Sequence, residues 1–313
     1  METPNEPNAG RDGSFYPKPE RRRAREFPEW LKKPWPAQYD TRTKDILEGL
    51  KLNTVCQSAE CPNLGECWNR GAATFMILGE HCTRACHFCA VKTGRGESLE
   101  SLADEPARVA QATKQLGLRH VVVTSVARDD LPDEGAGHFA RTITALKRYC
   151  GPELVVEVLT PDFHAREDCL RAVVEARPDV FNHNTETIER LHPPVRPQGN
   201  YRRTLDVLRT VKRLDPGMTT KSGLMVGLGE TPDEVLRVLD DLRAAEVDIL
   251  TVGQYLRPSP EHLPVAEFVH PDTFKRYETY ARSIGFKSAA CGPFVRSSYQ
   301  AEQVLADSGR GAH

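Results

Sequence analysis

The sequence predicts an α/β fold, a partial (β/α)6 barrel of the TIM type, and three observations carry that prediction. From residue 74 onward, short runs rich in β-branched residues alternate with amphipathic stretches, the mark of a parallel sheet with helical crossovers. There are six such runs, too few for eight-fold closure. The chemistry-bearing polar residues collect just after the runs, where barrels of this kind place their sites.

The strands follow in order: "TFMILG" (74–79), "RHVVVTSV" (119–126), "ELVVEVLT" (153–160), "DVFNHN" (179–184), "TKSGLMVGL" (220–228) and "DILTVGQYL" (248–256), with Gly or Pro near most of their ends. The clearest helix begins at "TPDEVLRVLDDL". Thr231 is the N-cap, Pro232 the first helical residue and Glu234 closes a capping box. Val235, Val238, Leu239 and Leu242 form one apolar stripe at i, i+3, i+4, i+7. Polar residues at strand ends include Thr124, Ser125, Arg128, Asp129 and Asp130, then Asn182, His183 and Asn184, then Glu230 and Gln254. Residues 1–40, rich in Pro, Arg and Glu, read as an extended arm in which Trp30 and Trp35 dock on a surface. Residues 41–73 precede the barrel, which spans 74–285, and 286–313 form a C-terminal tail.

Net charge is −2 over 313 residues and the isoelectric point is near 6.6, so no global charge attracts nucleic acid or an anionic membrane. Mean hydropathy is −0.50, and no apolar run approaches the ~20 residues of a membrane span. The opening METPNEPNAGRDG lacks the basic and apolar regions of a signal peptide, so a cytoplasmic location is expected. There, clustered thiols serve as metal ligands or reactive groups more often than as disulfides. Six of the nine cysteines fall between Cys56 and Cys89. For Cys150, Cys169 and Cys291 the default is a buried, inert thiol.

In "CTRACHFC", Cys82, Cys86 and Cys89 follow the first strand directly. Three thiolates can hold three corners of a [4Fe–4S] cube and leave one iron to bind substrate. Zinc is the alternative, with His81 or His87 as fourth ligand, but gaps of three and two do not make a paired zinc knuckle. The second triplet, Cys56, Cys61 and Cys67 in "VCQSAECPNLGECW", has gaps of four and five. A second cluster or a zinc ion both fit that spacing.

Cys-x3-Cys-x2-Cys after the first strand of a six-unit barrel resembles the radical S-adenosylmethionine superfamily, over residues 74 to about 285. Both triplets together with the tail's "RSSY" (Arg296–Tyr299) are similar to the lipoyl synthase family, and the likeness runs from about residue 28. It includes "PEWLKKPWP", "TFMILGEHCTRACHFCAV", "VVVTSVARDDLPDEGAGHF" and "KSGLMVGLGET". The resemblance implies two [4Fe–4S] clusters and S-adenosyl-L-methionine, whose reductive cleavage gives a 5′-deoxyadenosyl radical. It also implies an octanoyl chain on a lysine of a lipoyl carrier domain, sulfurated at its sixth and eighth carbons. Cys82, Cys86 and Cys89 would hold the cluster that binds S-adenosylmethionine. Cys56, Cys61 and Cys67 would hold an auxiliary, sacrificial cluster in the N-terminal extension, with Ser298 as its fourth ligand and Ser297 the fallback.

The implied partners are octanoylated carriers (E2 subunits of 2-oxoacid dehydrogenases and the glycine cleavage H protein), an electron donor such as flavodoxin or ferredoxin, and an iron–sulfur carrier that rebuilds the spent cluster. Nucleic acid and membrane are not expected. Asn182 and Asn184 would bind the nucleoside or methionine part or cap their loop, and Arg128 and Asp130 are similar candidates. Phe88 would stack near the adenine or pack beneath the cluster. His183 could pass for a general base, yet this chemistry needs none. Arg196, Arg202 and Arg203 read as a solvated face or a contact for acidic carrier domains. Two other classes compete. A biotin-synthase-like enzyme lacks the first triplet, and a two-cluster electron carrier would supply four cysteines per cluster.

Overall fold

A computed structural model of the protein describes residues 27–32 and 41–309, in two units, Met1–Lys33 and Pro34–His313. The described part of the first unit is a 3₁₀ turn, Glu29–Leu31. The rest of the expected arm, Trp35 included, lies outside the described residues. All that follows concerns the second unit.

Its main sheet has eight strands in sequential order: β1 (Asn53–Thr54), β2 (Thr74–Ile77), β3 (His120–Ser125), β4 (Val155–Leu159), β5 (Val180–Asn182), β6 (Thr219–Val226), β7 (Ile249–Gln254) and β8 (Ser288–Gly292). Strands β2 to β8 run parallel, and β1 lies antiparallel on the outer side of β2. The edges β1 and β8 do not pair, so the barrel is partial and open. The six expected strands are β2 to β7. The seventh parallel strand, β8, falls beyond residue 285 in what the sequence offers as tail, because "SAACG" has small side chains and little β-branching.

Burial on both faces explains why the strands read as continuous apolar runs. In β3, Val121 and Val123 face the surrounding helices and pack with Phe139, Ile143 and Leu146. In the second half, Leu250 and Val252 meet the stripe Val235, Val238, Leu239 and Leu242. Each such side chain contributes about 1.5–3 kcal/mol by leaving water. The capping box forms as the sequence expects, with Thr231 Oγ1 accepting from Glu234 N and Glu234 Oε2 accepting from Thr231 N.

Val155, Val180, Ile249 and Ala290 enclose Val304 and Leu305 of the short helix Ala301–Ala306. The C-terminal tail thus plugs one end of the barrel. Gly253 lets it pass, since a Cβ there would lie 2.1 Å from the carbonyl oxygen of Val295. Nearby is a charged layer. Lys221 Nζ and Asn182 Nδ2 donate to Glu157 Oε1 at 2.9 and 3.2 Å, and His120 Nε2 lies 3.2 Å from Oε2. Burial opposes charge on Glu157, but Lys221 and His120 prevail and hold its carboxyl down at about 2. Among the described residues, no helix is long and apolar enough to cross a membrane.

Candidate active site

Cys82, Cys86 and Cys89 lie just beyond the C-terminal end of β2. Cys82 ends a two-residue strand, His81–Cys82, that pairs with Lys92–Thr93 and closes the cysteine loop on itself. Its Sγ accepts from the backbone N–H of Arg84 and of Ala127, at 3.4 and 3.3 Å. Between the cysteines Arg84, 4% exposed, turns inward. Its guanidinium grips Asp129 through Nε and Nη2 at 2.8 Å each, and Nη2 also reaches Asp162 at 2.7 Å. The loops after β2, β3 and β4 are therefore tied together by one side chain. His87 is anchored by Nδ1 to the Pro194 carbonyl at 2.8 Å, and His262 Nε2 lies 3.1 Å from the Cys89 carbonyl oxygen.

The strand-end residues divide into those that face this loop and those engaged elsewhere. Asn182 and Asn184 are buried, and the side-chain oxygen of each has no hydrogen-bond partner. Asn184 Nδ2 donates to Ser297 Oγ at 2.7 Å. Arg128 and Asp130 hold each other by two hydrogen bonds of 2.8 and 2.9 Å, which keep the Asp130 carboxyl below its usual range. Arg128 lies against Gly96, where a Cβ would come within 2.4 Å of its Nε. Phe88 packs on the core of the second half-barrel. Glu230 and Gln254 are occupied with backbone groups: Glu230 accepts from Gly227 and Leu228 N–H, and Gln254 bonds the backbone of Val226, Tyr255, Glu267 and Val269.

His183 is no general base. Burial, with Arg196 nearby, pushes its pKa down to about 4, and Nδ1 bonds the Thr160 carbonyl at 2.8 Å. Burial and Arg196 depress His192 to about 4 as well. Both are neutral in the fold, whereas in the unfolded chain they take up protons below about 6.5. Stability is therefore full above pH 6.5 and lost as pH falls toward 4, by about 3 kcal/mol per histidine. Glu157, depressed from 4.5 to about 2, continues the loss below pH 4.5. The denaturant midpoint, followed downward from neutral pH, is expected to start falling near pH 6.5. A midpoint flat to pH 4.5 contradicts the burial of neutral histidines.

Arg84 and Glu186 carry no motif of their own and emerge only in the structure. Arg196 is 8% exposed and not part of a solvated face. The turn of helix His192–Val195 folds it inward, where Nη1 donates to the Asn184 carbonyl at 3.3 Å. Glu186 and Arg196 both act electrostatically on Cys86, and Glu186 also acts on Cys89. Arg202 stays exposed with Glu189, while Arg203 reaches Asp162 at 3.2 Å.

The second cysteine triplet lies at the barrel's open side. Thr54, at the end of β1, caps helix Val55–Ser58, which places Cys56 against Thr74 of β2. Cys67 sits on helix Leu64–Asn69, with Cys61 between the two helices. Asn63 Nδ2 donates to the Phe294 carbonyl at 2.7 Å, and Tyr299 Oη to Glu66 Oε1 at 2.9 Å. These bonds pin the tail on both sides of Ser298. As a result Cys56, Cys61, Cys67 and Ser298 line one cavity of about 690 Å³, with Arg296 and His120 in its wall. Ser297 points elsewhere, to Asn184.

Either donor set could hold a metal group. Burial pushes the Cys56 and Cys86 thiols up to about 11 and Cys89 up to about 12, and neighbouring cysteines add to each shift. Such thiols become thiolates only against a cationic centre. A single zinc ion, with Zn–S near 2.3 Å, would draw the sulfurs to about 3.8 Å from one another. Among the described residues, the groups of three donors within 4.8 Å are Glu80–His81–Glu97 and Asp129–Glu134–His164, and neither cysteine triplet is drawn that tight. His81 turns to Glu97 and His87 to Pro194, so neither completes a zinc shell.

Comparison with known proteins agrees with this architecture. The Radical SAM superfamily model matches residues 76–242. The chain is 56% identical to lipoyl synthase from Caldanaerobacter subterraneus subsp. tengcongensis over 278 residues, 89% of this chain and 96% of that protein. Against lipoyl synthase from Thermus thermophilus it is 52% identical over 284 residues, 90% of this chain and 87% of the relative. Among solved structures, the [FeFe]-hydrogenase maturase HydG superposes with a TM-score of 0.55 at 15% identity, over 74% of this chain and 53% of that one. Coproporphyrinogen III oxidase (HemN) from Escherichia coli gives 0.51 at 12%, over 66% and 51%. At such identities these two attest the fold alone.

Proposed function

We infer that the protein, which belongs to the lipoyl synthase family of the radical SAM superfamily, replaces one hydrogen by sulfur at each of C6 and C8 of an octanoyl chain carried on a lysine of a lipoyl carrier domain. The observation that best supports this reading is the meeting of Cys56, Cys61, Cys67 and Ser298 around one cavity on a barrel that carries a separate cysteine loop. An aliphatic C–H bond has neither an acidic proton nor a leaving group, so acid–base side chains cannot open it and a cofactor must. When bound, S-adenosylmethionine and the cluster on Cys82, Cys86 and Cys89 would supply the radical, and the cluster on Cys56, Cys61 and Cys67 the sulfur.

The chain's own residues bind and position. Arg84 fixes the cysteine loop to Asp129 and Asp162. Glu186, whose carboxyl burial pushes up, and the cationic Arg196 both bear electrostatically on Cys86 and suit the ammonium and carboxylate of the methionine part. Asn182 and Asn184 hold buried oxygens ready for hydroxyl or amino donors. Arg128 and Asp130 brace the loop that carries Gly96, and Phe88 packs below. In this division residues 41–73 and 286–313 build the auxiliary site and 74–285 the radical site, although the sheet's last strand belongs to the closing segment. Family membership sets aside a purely electron-carrying role. The reading also entails an octanoylated E2 subunit or glycine cleavage H protein as substrate carrier, a flavodoxin or ferredoxin as reductant, an iron–sulfur carrier for rebuilding, and a cytoplasmic location.

Ser298 offers a hard oxygen where thiolate is usual, an anchor suited to a cluster that must be dismantled. Ser298→Cys is expected to keep its full iron content and 5′-deoxyadenosine formation while losing most sulfur insertion. Normal turnover by that variant would remove the labile-anchor role. The function itself is tested anaerobically, with reconstituted protein, S-adenosylmethionine, a strong reductant and an octanoyl-lysyl peptide. Gain of two sulfurs is expected, as the dithiol under reductant and with loss of two hydrogens once it is oxidised to the cyclic disulfide. Deoxyadenosine without a change in peptide mass would overturn the substrate assignment.

A further inference from the structure

Arg296 presents a charge that the fold does not balance. It lines the cavity shared by Cys56, Cys61, Cys67 and Ser298. Its Nη1 donates to the carbonyls of Val295 at 2.7 Å and Pro293 at 3.5 Å. Among the described residues, the ion pairs give it no carboxylate partner, in contrast to Arg84, Arg128, Arg202 and Arg203. The tail is pinned on both sides of it, by Asn63 to Phe294 and by Glu66 to Tyr299, which holds the half-buried guanidinium at the cavity wall. A guanidinium partly withdrawn from water without an anion is costly.

We propose that Arg296 is the fixed counter-charge of the auxiliary cluster, placed to stabilise it as it takes up electrons. Three thiolates and a serine oxygen leave a [4Fe–4S] group net negative, the partner that the guanidinium lacks. The chemistry gives this charge work to do. When a carbon radical bonds a sulfide, each contributes one electron to the new bond, the sulfur becomes a thiolate and the one surplus electron passes to iron. Two insertions therefore place two electrons on a group already anionic. A cation in the cavity wall eases that uptake, since charge and hydrogen bonds near the sulfurs set cluster potentials. Arg296 acts through the cluster and is a positioning and tuning residue.

The inference rests on the two-cluster reading, and the experiment separates the two. Reconstituted full-length wild type, Arg296→Met and Arg296→Lys are titrated anaerobically, with iron and sulfide counted and the potentials of both clusters followed by electron paramagnetic resonance. The expected result is an auxiliary potential shifted to more negative values in Arg296→Met and largely restored in Arg296→Lys, with the S-adenosylmethionine-binding cluster unmoved in both. Loss of the second cluster from Arg296→Met but not from Arg296→Lys supports the same conclusion. An unshifted auxiliary potential in Arg296→Met, or loss of the cluster from both variants, overturns it. A wild type with only one cluster overturns the two-cluster reading itself.

Discussion

Cys61→Ala protein is expected to go on cleaving S-adenosylmethionine while sulfur incorporation falls to background. Cys61 lies in the turn between helices Val55–Ser58 and Leu64–Asn69, on the wall of the auxiliary cavity. The loop of Cys82, Cys86 and Cys89 is tied instead to Asp129, Asp162, Pro194 and Val195. The two cysteine groups share no residue, so the variant is expected to keep one cluster's iron and lose the other's. The mirror variant, Cys86→Ala, is expected to lose both deoxyadenosine and sulfurated product, because nothing downstream begins without the radical. Residues that act in sequence show such an asymmetry, whereas two equivalent electron stores would not. If Cys61→Ala abolished deoxyadenosine formation as well, the separation of roles would fail.

Arg84→Met is expected to be the most destabilising single change near the site, at about 3 kcal/mol, the usual cost of breaking one side of a buried ion pair. Asp162 has a side chain only 1% exposed. Burial works against its charge, yet Arg84 holds its carboxyl far below the usual range. Without Arg84 that carboxylate keeps Arg203 and the backbone N–H of His164, each at 3.2 Å, while Asp129, 27% exposed, can turn to water. Arg84→Lys preserves charge but cannot span two carboxylates as a planar fork does, so an intermediate loss is expected. Adding Asp162→Asn to Arg84→Met should recover part of the stability by removing the orphaned charge. Denaturant midpoints on the three variants check this, and a loss below about 1 kcal/mol for Arg84→Met would show that the pair is an ordinary surface bridge.

What could be read from the sequence was what depends on local spacing. Both cysteine triplets, the capping box at Thr231 and the six runs that become β2 to β7 are patterns within a few residues of chain. What could not be read depends on contacts far apart in sequence. Asn63 and Glu66 look like ordinary polar residues until Phe294 and Tyr299 arrive from the other end of the chain. Arg84 sits in plain view between two cysteines, but its meaning lies in Asp129 and Asp162, which follow two later strands. Arg196 shares a basic stretch with Arg202 and Arg203, and composition cannot say which of the three turns inward. Ser297 and Ser298 are chemically identical neighbours, and only the direction of the docked tail tells the one that meets Asn184 from the one that lines the cavity. Strand β8 was hidden for a different reason. Gly292, paired with Gly253, faces Val295 of the passing tail, Ala290 packs on Val304 and Leu305, and these small residues erase the β-branched signal.

The central claim is that the cavity of Cys56, Cys61, Cys67 and Ser298 holds the sulfur that ends in the product. It is tested most directly by loading the protein with heavy-isotope sulfide, removing unbound sulfide and running a single anaerobic turnover on an octanoyl-lysyl peptide in ordinary-isotope buffer. Both sulfurs of the product are expected to carry the label, with a matching loss of sulfide from the auxiliary site. A sulfurated product without label, while the protein keeps its labelled sulfide, would contradict it.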